Sequence, residues 1–281
     1  MTSTRRDPSA AVVAHYGQNG RGLVERVLAT LRESGCDVEQ LSAEMLYPLD
    51  QLHGRELAAT REHLSRLQPQ PDDHVLDIGA GIGGPARFLA VEWGCRVTGV
   101  DLTPEFVAAA SELTERCGLG ERVTFHHADA LQMPFADQSF DAASCLYVAM
   151  NVHDKRALLT EIWRVLRPGA RLVWSEVVLR GDAAPDFPLP WSREPEASFL
   201  VRGPELAEAL AQEGFRVLAW HDETDALREY AEAMRAAPPE RRGPDRAAVV
   251  GDDFRERLGN FNRGIADGRL GSVLVVAESA G

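Results

Sequence analysis

The sequence predicts an α/β fold with a doubly wound, mostly parallel sheet. Strand-type and helix-type segments alternate between residues 75 and 176, a glycine-rich turn follows the first strand, and an aspartate ends the second. Alternation of this kind places helices on both faces of a parallel sheet. Ligands of such sheets bind beyond the carboxyl ends of the strands, so we expect the functional site at that edge.

Residues 9–67 precede the sheet, and their pattern of apolar residues predicts helices. Apolar residues recur at helical spacing between Leu23 and Leu31, and again between Gly54 and Leu67. The run QPQPDD (68–73) is rich in turn-forming residues and marks a boundary. We therefore expect an N-terminal helical cap over residues 1–67.

Residues 68–180 are expected to form the cofactor-binding core. The run Leu166-Arg-Pro-Gly, with its proline and glycine, predicts the end of a helix. The predicted strands lie near 75–79, 96–101, 122–126, 140–146 and 170–176, and the predicted helices near 85–93, 104–117 and 154–166.

The alternation stops after Glu176, and residues 181–281 are expected to supply a lid and to complete the sheet. Residues 180–203 are rich in Pro, Gly and Asp but contain large apolar side chains. A loop of this length is usually functional or disordered, and the apolar residues favour a lid or substrate wall. The remaining predictions are a helix at 204–213, a strand at 216–221, a helix at 225–236, a mobile stretch at 237–252 and the strand Ser272–Ala277.

Composition narrows the function classes. A net charge of −13 would repel a phosphodiester backbone, so a nucleic-acid partner is disfavoured. The four cysteines are widely spaced, which indicates no metal site, and Cys95 and Cys145 are expected in the core. The sequence shows no signal peptide and no apolar run of membrane-spanning length. We expect a cytoplasmic monomer or homodimer that does not act at membranes.

The glycine-rich turn lies in the run VLDIGAGIGG (75–84). Glycine permits the sharp bend and lets a ligand approach the backbone without a Cβ in the way. The helix beyond the turn directs unpaired N–H groups at that ligand. Asp101 is placed to accept hydrogen bonds from two ribose hydroxyls. The sequence therefore predicts a nucleoside-containing cofactor bound by Gly79, Ala80, Gly81, Asp101 and Leu102.

Two cofactor classes fit this turn, and Asp77 separates them. The glycines at 79, 81 and 84 also match the G-x-G-x-x-G pattern of nicotinamide dinucleotide sites. The Asp77 carboxylate would repel a pyrophosphate and attract an ammonium group, directly or through water. S-adenosylmethionine carries an ammonium and a sulfonium and has no phosphate. The alternative is that Asp77 caps the turn by accepting from backbone N–H groups.

A third acidic residue, Asp129, follows the next predicted strand. It is placed to accept a hydrogen bond from the exocyclic amine of adenine, with Ala130 beside the ring. Its alternative role is the N-cap of the short segment 130–133. Three acids at successive strand ends, each facing a different part of one nucleoside, favour S-adenosylmethionine.

Four runs in order resemble the motif series of class I S-adenosylmethionine-dependent methyltransferases. They are VLDIGAGIGG (75–84), VTGVDLT (97–103), ADALQMPFADQSFDAASC (128–145) and EIWRVLRPGARLVWSE (161–176). The resemblance covers about residues 68–180 and implies a Rossmann-like sheet of seven strands, the last antiparallel and inserted between its neighbours.

The whole chain also resembles a bacterial branch that includes sarcosine/dimethylglycine-type small-molecule methyltransferases. The runs that carry this resemblance are LDQLHGRELAAT (49–60), YVAMNVHDK (147–155), FPLPW (187–191) and GRLGSVLVVAES (268–279). In similar enzymes the residues after the fourth strand lie under the methionine moiety of the cofactor. The resemblance thus implies that Leu146 lies there, and we predict Tyr147 and Asn151 as pocket residues. A core aromatic with a satisfied hydroxyl is the alternative for Tyr147.

Methyl transfer is an in-line displacement that needs alignment and exclusion of water. It needs a base only if the acceptor atom arrives protonated, and it needs no metal. Two histidines are candidates for that base. His153 stands before Asp154, a possible helix N-cap, and the pKa of histidine suits proton removal. The resemblance places His53 and Gln51 in the N-terminal cap, near the methionine end of the cofactor or the acceptor. Both histidines have a structural role as the alternative.

Weaker pocket candidates are aromatic or amide residues outside these motifs, namely Tyr16, Trp191, Phe199 and Asn262. The segment after the fourth strand also bears on the acceptor. Glycine-betaine-forming members of the branch carry a Gln-Asp-Ser type segment there, whereas this chain has CLYVAMN (145–151). This neutral lining favours a less charged small metabolite, such as a natural-product intermediate, methylated on N, O or C.

Two other function classes stay open at the level of sequence. One is a cyclase or binding module that keeps the cofactor without transferring methyl, and the other is an NAD-dependent oxidoreductase. Formation of S-adenosylhomocysteine together with a methylated product would exclude the first. Tight S-adenosylhomocysteine binding without NAD binding would exclude the second.

Overall fold

A computed structural model describes residues 8–17, 22–238, 244 and 246–280. Within them the chain forms one sheet of seven strands. The strands are β1 (His74–Ile78), β2 (Arg96–Asp101), β3 (Val123–His127), β4 (Phe140–Leu146), β5 (Leu166–Leu179), β6 (Phe215–Asp222) and β7 (Leu270–Ser279).

The strand order in the sheet is β3-β2-β1-β4-β5-β7-β6. The pairs among β1 to β5 are parallel, whereas β7 runs antiparallel to both β5 and β6, between which it lies. The predicted doubly wound sheet is confirmed, as is the inserted antiparallel strand that the resemblance implied. The order reverses at β1, between β2 and β4, and ligands of open α/β sheets bind at such a point.

The described helices are α1 (Pro8–Gly17), α2 (Leu23–Glu33), α3 (Ala43–Asp50), α4 (Glu56–Ser65), α5 (Gly84–Trp93), α6 (Pro104–Arg116), α7 (Lys155–Val165), α8 (Gly203–Gln212), α9 (Thr224–Ala236), α10 (Ala247–Val250) and α11 (Phe254–Ala266). Among the described residues, no helix is long and apolar enough to span a bilayer.

Helices cover both faces of the sheet because successive strand residues point to opposite sides. Leu76 and Ile78 pack with apolar residues of α7 and α8. Val75, on the other face, packs with residues of α3, α4 and α5. Cys95 and Cys145 are fully buried in these two layers, as predicted.

Two further apolar clusters position the cavity described below. The N-terminal helices α2 and α3 pack against α6. The segment between β5 and α8 contributes Leu189 and Trp191 to a cluster with residues of α9 and α11. The apolar side chains of that segment are therefore part of a packed layer.

The predicted spans differ from the structure in three places. The run Leu166-Arg-Pro-Gly follows the end of α7 at Val165, as predicted, but Leu166 also begins β5, which was expected only from residue 170. Helices α3 and α11 were not predicted as separate elements. The mobile stretch predicted at 237–252 contains residues 239–243 and 245, which lie outside the described residues, while 247–250 form α10.

Candidate active site

A cavity of about 820 Å³ lies at the carboxyl ends of β1, β2 and β4. Its floor is formed by the turn after β1 and by the residues that follow β2 and β4. Side chains from α1, the segment before α4, α9 and α11 close the opposite side, together with Pro190 and Trp191. The cavity therefore lies where the strand order reverses.

The turn after β1 follows the floor of the cavity. Gly79 and Gly81 have φ angles of +66° and +54°, which residues with a Cβ rarely adopt. A Cβ on Gly79 would come within 2.3 Å of Val148, whereas one on Gly81 would have Leu52 as its nearest neighbour at 4.0 Å. Gly79 thus lets the segment after β4 pack against the turn, and Gly81 leaves the cavity floor open.

Asp101 lies at the end of β2, and each of its two carboxylate oxygens accepts a hydrogen bond from a backbone N–H group. Gly81 N–H donates to its Oδ2 over 2.9 Å, and Thr103 N–H donates to its Oδ1 over 2.8 Å. Burial raises its pKa, and these two hydrogen bonds oppose that change. Asp101 and Leu102 line the cavity. Each carboxylate oxygen retains acceptor capacity, so the residue can still accept from ribose hydroxyls.

The position of Asp129 is compatible with both roles that the sequence left open. Its Oδ1 accepts from the Leu131 N–H over 2.9 Å, which fixes the turn after β3. It also lines the cavity together with Ala130. Capping the turn and facing the cavity are thus compatible.

Asp77 lies behind the turn, 2% exposed, and is not part of the cavity lining. Its Oδ1 accepts from the Ser144 hydroxyl over 2.8 Å, while its Oδ2 is buried with no partner in the described structure. Its hydrogen-bond partner is thus a side chain, not the backbone N–H groups of a capped turn. Burial raises the pKa of Asp77 to about 7. An unpartnered buried carboxylate favours a cation nearby.

Tyr147, directly after β4, is half-buried and lines the cavity. It adopts a φ of +56°, which is unusual outside glycine. Its hydroxyl forms a hydrogen bond with Ser272 Oγ over 2.8 Å. The hydroxyl is therefore satisfied, as the alternative of a core aromatic required. Burial raises the pKa of this phenol. The ring stacks on His53 with centroids 5.6 Å apart.

His53 lines the cavity on the side opposite the turn. Its Nδ1 lies 3.2 Å from Gly54 O and its Nε2 lies 2.9 Å from Thr60 Oγ1. Burial lowers the pKa of His53 to about 4. The imidazole is therefore neutral at physiological pH. Gln51, predicted at the cofactor, is instead fully buried behind the wall, with its amide bonded to Asp50 and Thr60.

Asn151 and Tyr16 form a polar pair in the cavity wall. The Asn151 amide donates to the Tyr16 hydroxyl over 3.4 Å, while Asn151 Oδ1 is buried without a partner in the described structure. Burial raises the pKa of Tyr16 to about 12, so its hydroxyl keeps its proton. The pair thus places one carbonyl oxygen and one O–H group in the cavity wall.

Most of the remaining predicted site residues line the cavity, and the others lie outside it. Asp154 is the N-cap of α7, since its Oδ1 accepts from the Ala157 N–H over 2.9 Å. His153 beside it is exposed at the edge of the cavity and contacts the ring of Phe199. Leu146, Trp191 and Asn262 line the cavity, and Phe199 does not.

Sequence reasoning missed the apolar residues that α9 and α11 bring to the cavity. They are Leu227, Tyr230, Met234, Phe254, Leu258 and Phe261. Helical spacing of apolar residues over 254–265 was the available signal. The signal shows that a helix has an apolar face and leaves open which surface that face covers.

The site as a whole defines a class of protein. Strand-end acids, a glycine turn and an unpartnered buried carboxylate form a site for a cationic nucleoside without phosphate. Asp77 Oδ2 is the observation that fits S-adenosylmethionine best, because its burial without a partner would be relieved by a nearby ammonium group.

Comparison with known proteins agrees with this class. A family model described as a methyltransferase domain matches residues 76–174. An O-methyltransferase of Pyrenophora dematioidea is 33% identical over 227 residues, which cover 79% of this chain and 82% of the relative. The chain belongs to the S-adenosylmethionine-dependent methyltransferases. It is an enzyme that acts on small molecules with S-adenosylmethionine as methyl donor.

Solved structures show the same fold. Geranyl diphosphate C-methyltransferase of Streptomyces coelicolor A3(2), in complex with S-adenosyl-L-homocysteine, has a TM-score of 0.66 and 21% identity, and the match covers 80% of this chain and 79% of that one. The [4+2]-cyclase SpnF has a TM-score of 0.63 and 25% identity, with 92% and 93% of the two chains covered. The Rossmann-like prediction is confirmed, and the oxidoreductase alternative is set aside.

Proposed function

We propose that this enzyme is an O-methyltransferase whose acceptor is a hydroxyl group on a mainly apolar small metabolite. The observation that carries the proposal is the unpartnered Asn151 Oδ1 beside the Tyr16 hydroxyl, in a cavity that many apolar side chains also line. A hydroxyl can donate to Asn151 Oδ1 and accept from Tyr16, so both polar groups would be satisfied by one acceptor group.

The apolar residues of the cavity wall support the proposal that the acceptor is mainly apolar. Leu227, Met234 and Leu258 face the cavity together with Trp191 and Phe261. Burial of apolar surface contributes about 25 cal/mol per Å². A carboxylate or phosphate left unpaired against these side chains would instead cost several kcal/mol. The cavity therefore favours an uncharged, apolar acceptor over a small charged amine.

Ion pairs at the rim of the cavity also favour an uncharged acceptor. Arg55 is paired with Glu223 and Glu62, and Arg246 with Glu56. These two guanidinium groups already have carboxylate partners within the chain. The relative from Pyrenophora dematioidea, an O-methyltransferase by name, supports oxygen as the methylated atom.

The chemistry requires alignment, a dry site and a proton acceptor. S-adenosylmethionine supplies a methyl group on a positively charged sulfur. Asp101 and Asp129 would hold the nucleoside, and Asn151 and Tyr16 would orient the acceptor hydroxyl. Trp191, Leu227 and Phe261 exclude water, which would otherwise solvate the reacting oxygen.

The proposal is tested with S-adenosylmethionine that carries a CD3 methyl group. Fused-ring phenols and alcohols are assayed beside their amino analogues and their carboxylated analogues, and products are identified by mass spectrometry and NMR. We expect CD3 on oxygen, with the carboxylated compounds poorer acceptors. Label on nitrogen or carbon would contradict the proposal. An acceptor that is isomerised without label would favour the cyclase alternative.

A further inference from the structure

We propose that Lys155 is a positioning residue: paired with the buried Glu176, its ammonium fixes the short 3-10 helix that presents Asn151 to the acceptor. That helix is Ala149–Asn151. This inference rests on the proposed function, in which Asn151 Oδ1 accepts from the acceptor hydroxyl. Lys155 and Glu176 lie behind the cavity wall and do not line it. Lys155 is also the only lysine among the 30 lysine and arginine residues of the chain.

The ammonium is held by a carboxylate of the sheet. Glu176 on β5 is fully buried, and its Oε2 accepts from Trp174 Nε1–H over 3.0 Å. Lys155 Nζ lies 3.2 Å from Glu176 Oε1, and the lysine side chain is only 8% exposed. A buried charge is tolerated when an opposite charge is paired with it. The ion pair therefore connects the first residue of α7 to a central strand.

The same ammonium binds the backbone on both sides of Asn151. Lys155 Nζ donates to Ala149 O over 2.6 Å and to Val152 O over 3.2 Å. Ala149 begins the 3-10 helix, and Val152 is the residue that follows it. Ala149 O also accepts from the Val152 N–H. The backbone that carries Asn151 is thus held at both ends by one nitrogen.

A third carbonyl group on Lys155 belongs to the segment that closes the cavity. Lys155 Nζ donates to Phe199 O over 2.7 Å, and the Phe199 N–H donates to Met150 O over 2.8 Å. In the same segment Trp191 lines the cavity, and its indole N–H donates to Ser198 Oγ over 2.9 Å. The ammonium therefore holds the 3-10 helix and the closing segment together.

The shape of this environment suits lysine better than arginine. Three carbonyl oxygens and one carboxylate oxygen surround a single nitrogen. An ammonium is a compact charge with three N–H donors, whereas a guanidinium is planar and presents its donors in a fixed fork. We therefore expect Lys155→Arg to keep the charge and to displace the backbone around it.

The consequence for the reaction lies at Asn151 Oδ1, which is buried without a partner in the described structure. The side chain of Asn151 has one contact of its own, to the Tyr16 hydroxyl over 3.4 Å. That distance is long for a hydrogen bond, so the direction of the amide depends mainly on the backbone that carries it. A displacement of about 1 Å can cost about 10²-fold in rate, even from a substitution away from the reacting atoms.

The position of Asn151 is measured by NMR on ligand-free protein labelled with nitrogen-15 asparagine. The chain has four asparagines, and single substitutions identify their signals. We expect the side-chain amide signals of Asn151 to shift in Lys155→Arg. Those of Asn260, whose amide donates to Pro188 O over 2.9 Å, should stay unchanged. Unchanged Asn151 signals in Lys155→Arg would overturn the proposal.

Turnover of a fused-ring phenol gives the second readout. We expect Lys155→Arg to lower kcat at least about tenfold, while the affinity for S-adenosylhomocysteine stays within about twofold of the parent. Arg156→Met is the matched control, because Arg156 follows Lys155 on α7 and pairs with Glu213 at the surface. It should leave kcat and affinity unchanged. Equal losses in kcat and cofactor affinity in Lys155→Arg would refute the assignment.

A double variant separates positioning from stability. Lys155→Met leaves Glu176 buried without its counter-charge and should destabilise the fold. Adding Glu176→Gln removes the second charge and should recover much of that stability. We expect kcat to stay low in the double variant, because Ala149 O and Val152 O still lack their donor. Recovery of kcat together with stability would show that the ion pair is only structural.

A double-mutant cycle tests whether Lys155 acts through Asn151. If it does, the losses are not additive, and Lys155→Arg should lower kcat by less than about twofold when Asn151→Ala is already present. Additive losses, with the methyl label on oxygen, refute only this inference. Label on nitrogen or carbon refutes the proposed function, whatever the effect of Lys155→Arg.

Discussion

Asp77 has an environment that is unusual for an aspartate. It is buried, one of its oxygens has no partner in the described structure, and Asp101 adds a second negative charge nearby. Its pKa of about 7 means that the folded protein binds a proton at Asp77 where the unfolded chain does not. This stabilising contribution is complete below about pH 4 and is lost as the pH rises to about 7.

We therefore predict that Asp77→Asn stabilises the ligand-free protein progressively between about pH 4 and pH 7, by about 2–4 kcal/mol at the upper end. An uncharged amide avoids the cost of ionising a buried carboxyl group. Urea unfolding at several pH values measures the effect, with Asp182→Asn on an exposed side chain as control. A pH-independent difference between Asp77→Asn and the parent would contradict the prediction.

Asp101 provides the second prediction at this scale. Asp101→Ala should weaken S-adenosylhomocysteine binding by more than about tenfold, because it removes the proposed ribose acceptor and the partner of the Gly81 N–H. Isothermal titration calorimetry measures the change. Unchanged affinity in a folded variant would show that Asp101 does not contact the cofactor.

The sequence allowed the positions of the three strand-end acids to be predicted. It did not allow the chain of hydrogen bonds between Asp50 and His53 to be predicted. Strand periodicity and the glycine turn place Asp77, Asp101 and Asp129 because each stands directly after or within a strand of fixed direction. The bonds from Asp50 to His53 could not be predicted, because they depend on how α3, α4 and α5 pack. The resemblance placed Gln51 near the cofactor, whereas the packing of these helices buries it behind the wall.

At the scale of elements, the turn between β1 and α5 is tightly constrained by its neighbours. We predict that Gly79→Ala lowers S-adenosylhomocysteine affinity at least about tenfold, since the added methyl group would collide with Val148 and displace the cavity floor.

Gly118 offers a matched control for this change. It also has a positive φ, +70°, but a Cβ there has no neighbour within 4 Å. Gly118→Ala should cost about 1 kcal/mol of stability and leave affinity unchanged. Equal affinities in the two variants would contradict the prediction, because the contact of the added methyl group with Val148 would then have no effect on binding.

Arg257 on α11 connects the elements that close the cavity. It is 1% exposed, donates to Pro190 O over 2.9 Å and to Val250 O, and contacts His15 of α1. We predict that Arg257→Met lowers the free energy of unfolding by about 2 kcal/mol, because buried carbonyl groups lose their donor. Guanidinium unfolding curves test this. Arg228→Met, at a half-exposed i,i+3 pair, is the control and should cost less than about 0.5 kcal/mol; similar losses in both variants would contradict the prediction.

Element boundaries show what the sequence could and could not predict. The parallel strands were placed within one or two residues where apolar runs are bounded by turns, as in β1 and β2. The start of β5 and the existence of α11 were missed. Proline and glycine at 168–169 correctly mark the end of α7, but β5 already begins at Leu166, which pairs with Phe140 of β4.

At the scale of the whole molecule, the sheet order and the cavity together define the enzyme. The switch at β1 places the glycine turn and the strand-end acids on one edge, and the segments outside the core supply an apolar cover over them. The order of the motifs predicted that the glycine turn and the strand-end acids lie on one edge. The cover depends on long-range packing of α1, α9 and α11, which periodicity does not specify.

The division into a cap (1–67), a core (68–180) and a C-terminal lid (181–281) remains a prediction. Apolar clusters join residues from these segments, such as Ile82 with Leu49 and Val249. The cavity is likewise formed by all three segments, so we expect the cofactor to stabilise the protein as a unit.

The most direct test is a single turnover with CD3-labelled S-adenosylmethionine and a fused-ring phenol, followed by mass spectrometry and NMR of the product. The account predicts one CD3–O group for every S-adenosylhomocysteine formed. A product without label, or with the label on nitrogen or carbon, would contradict it.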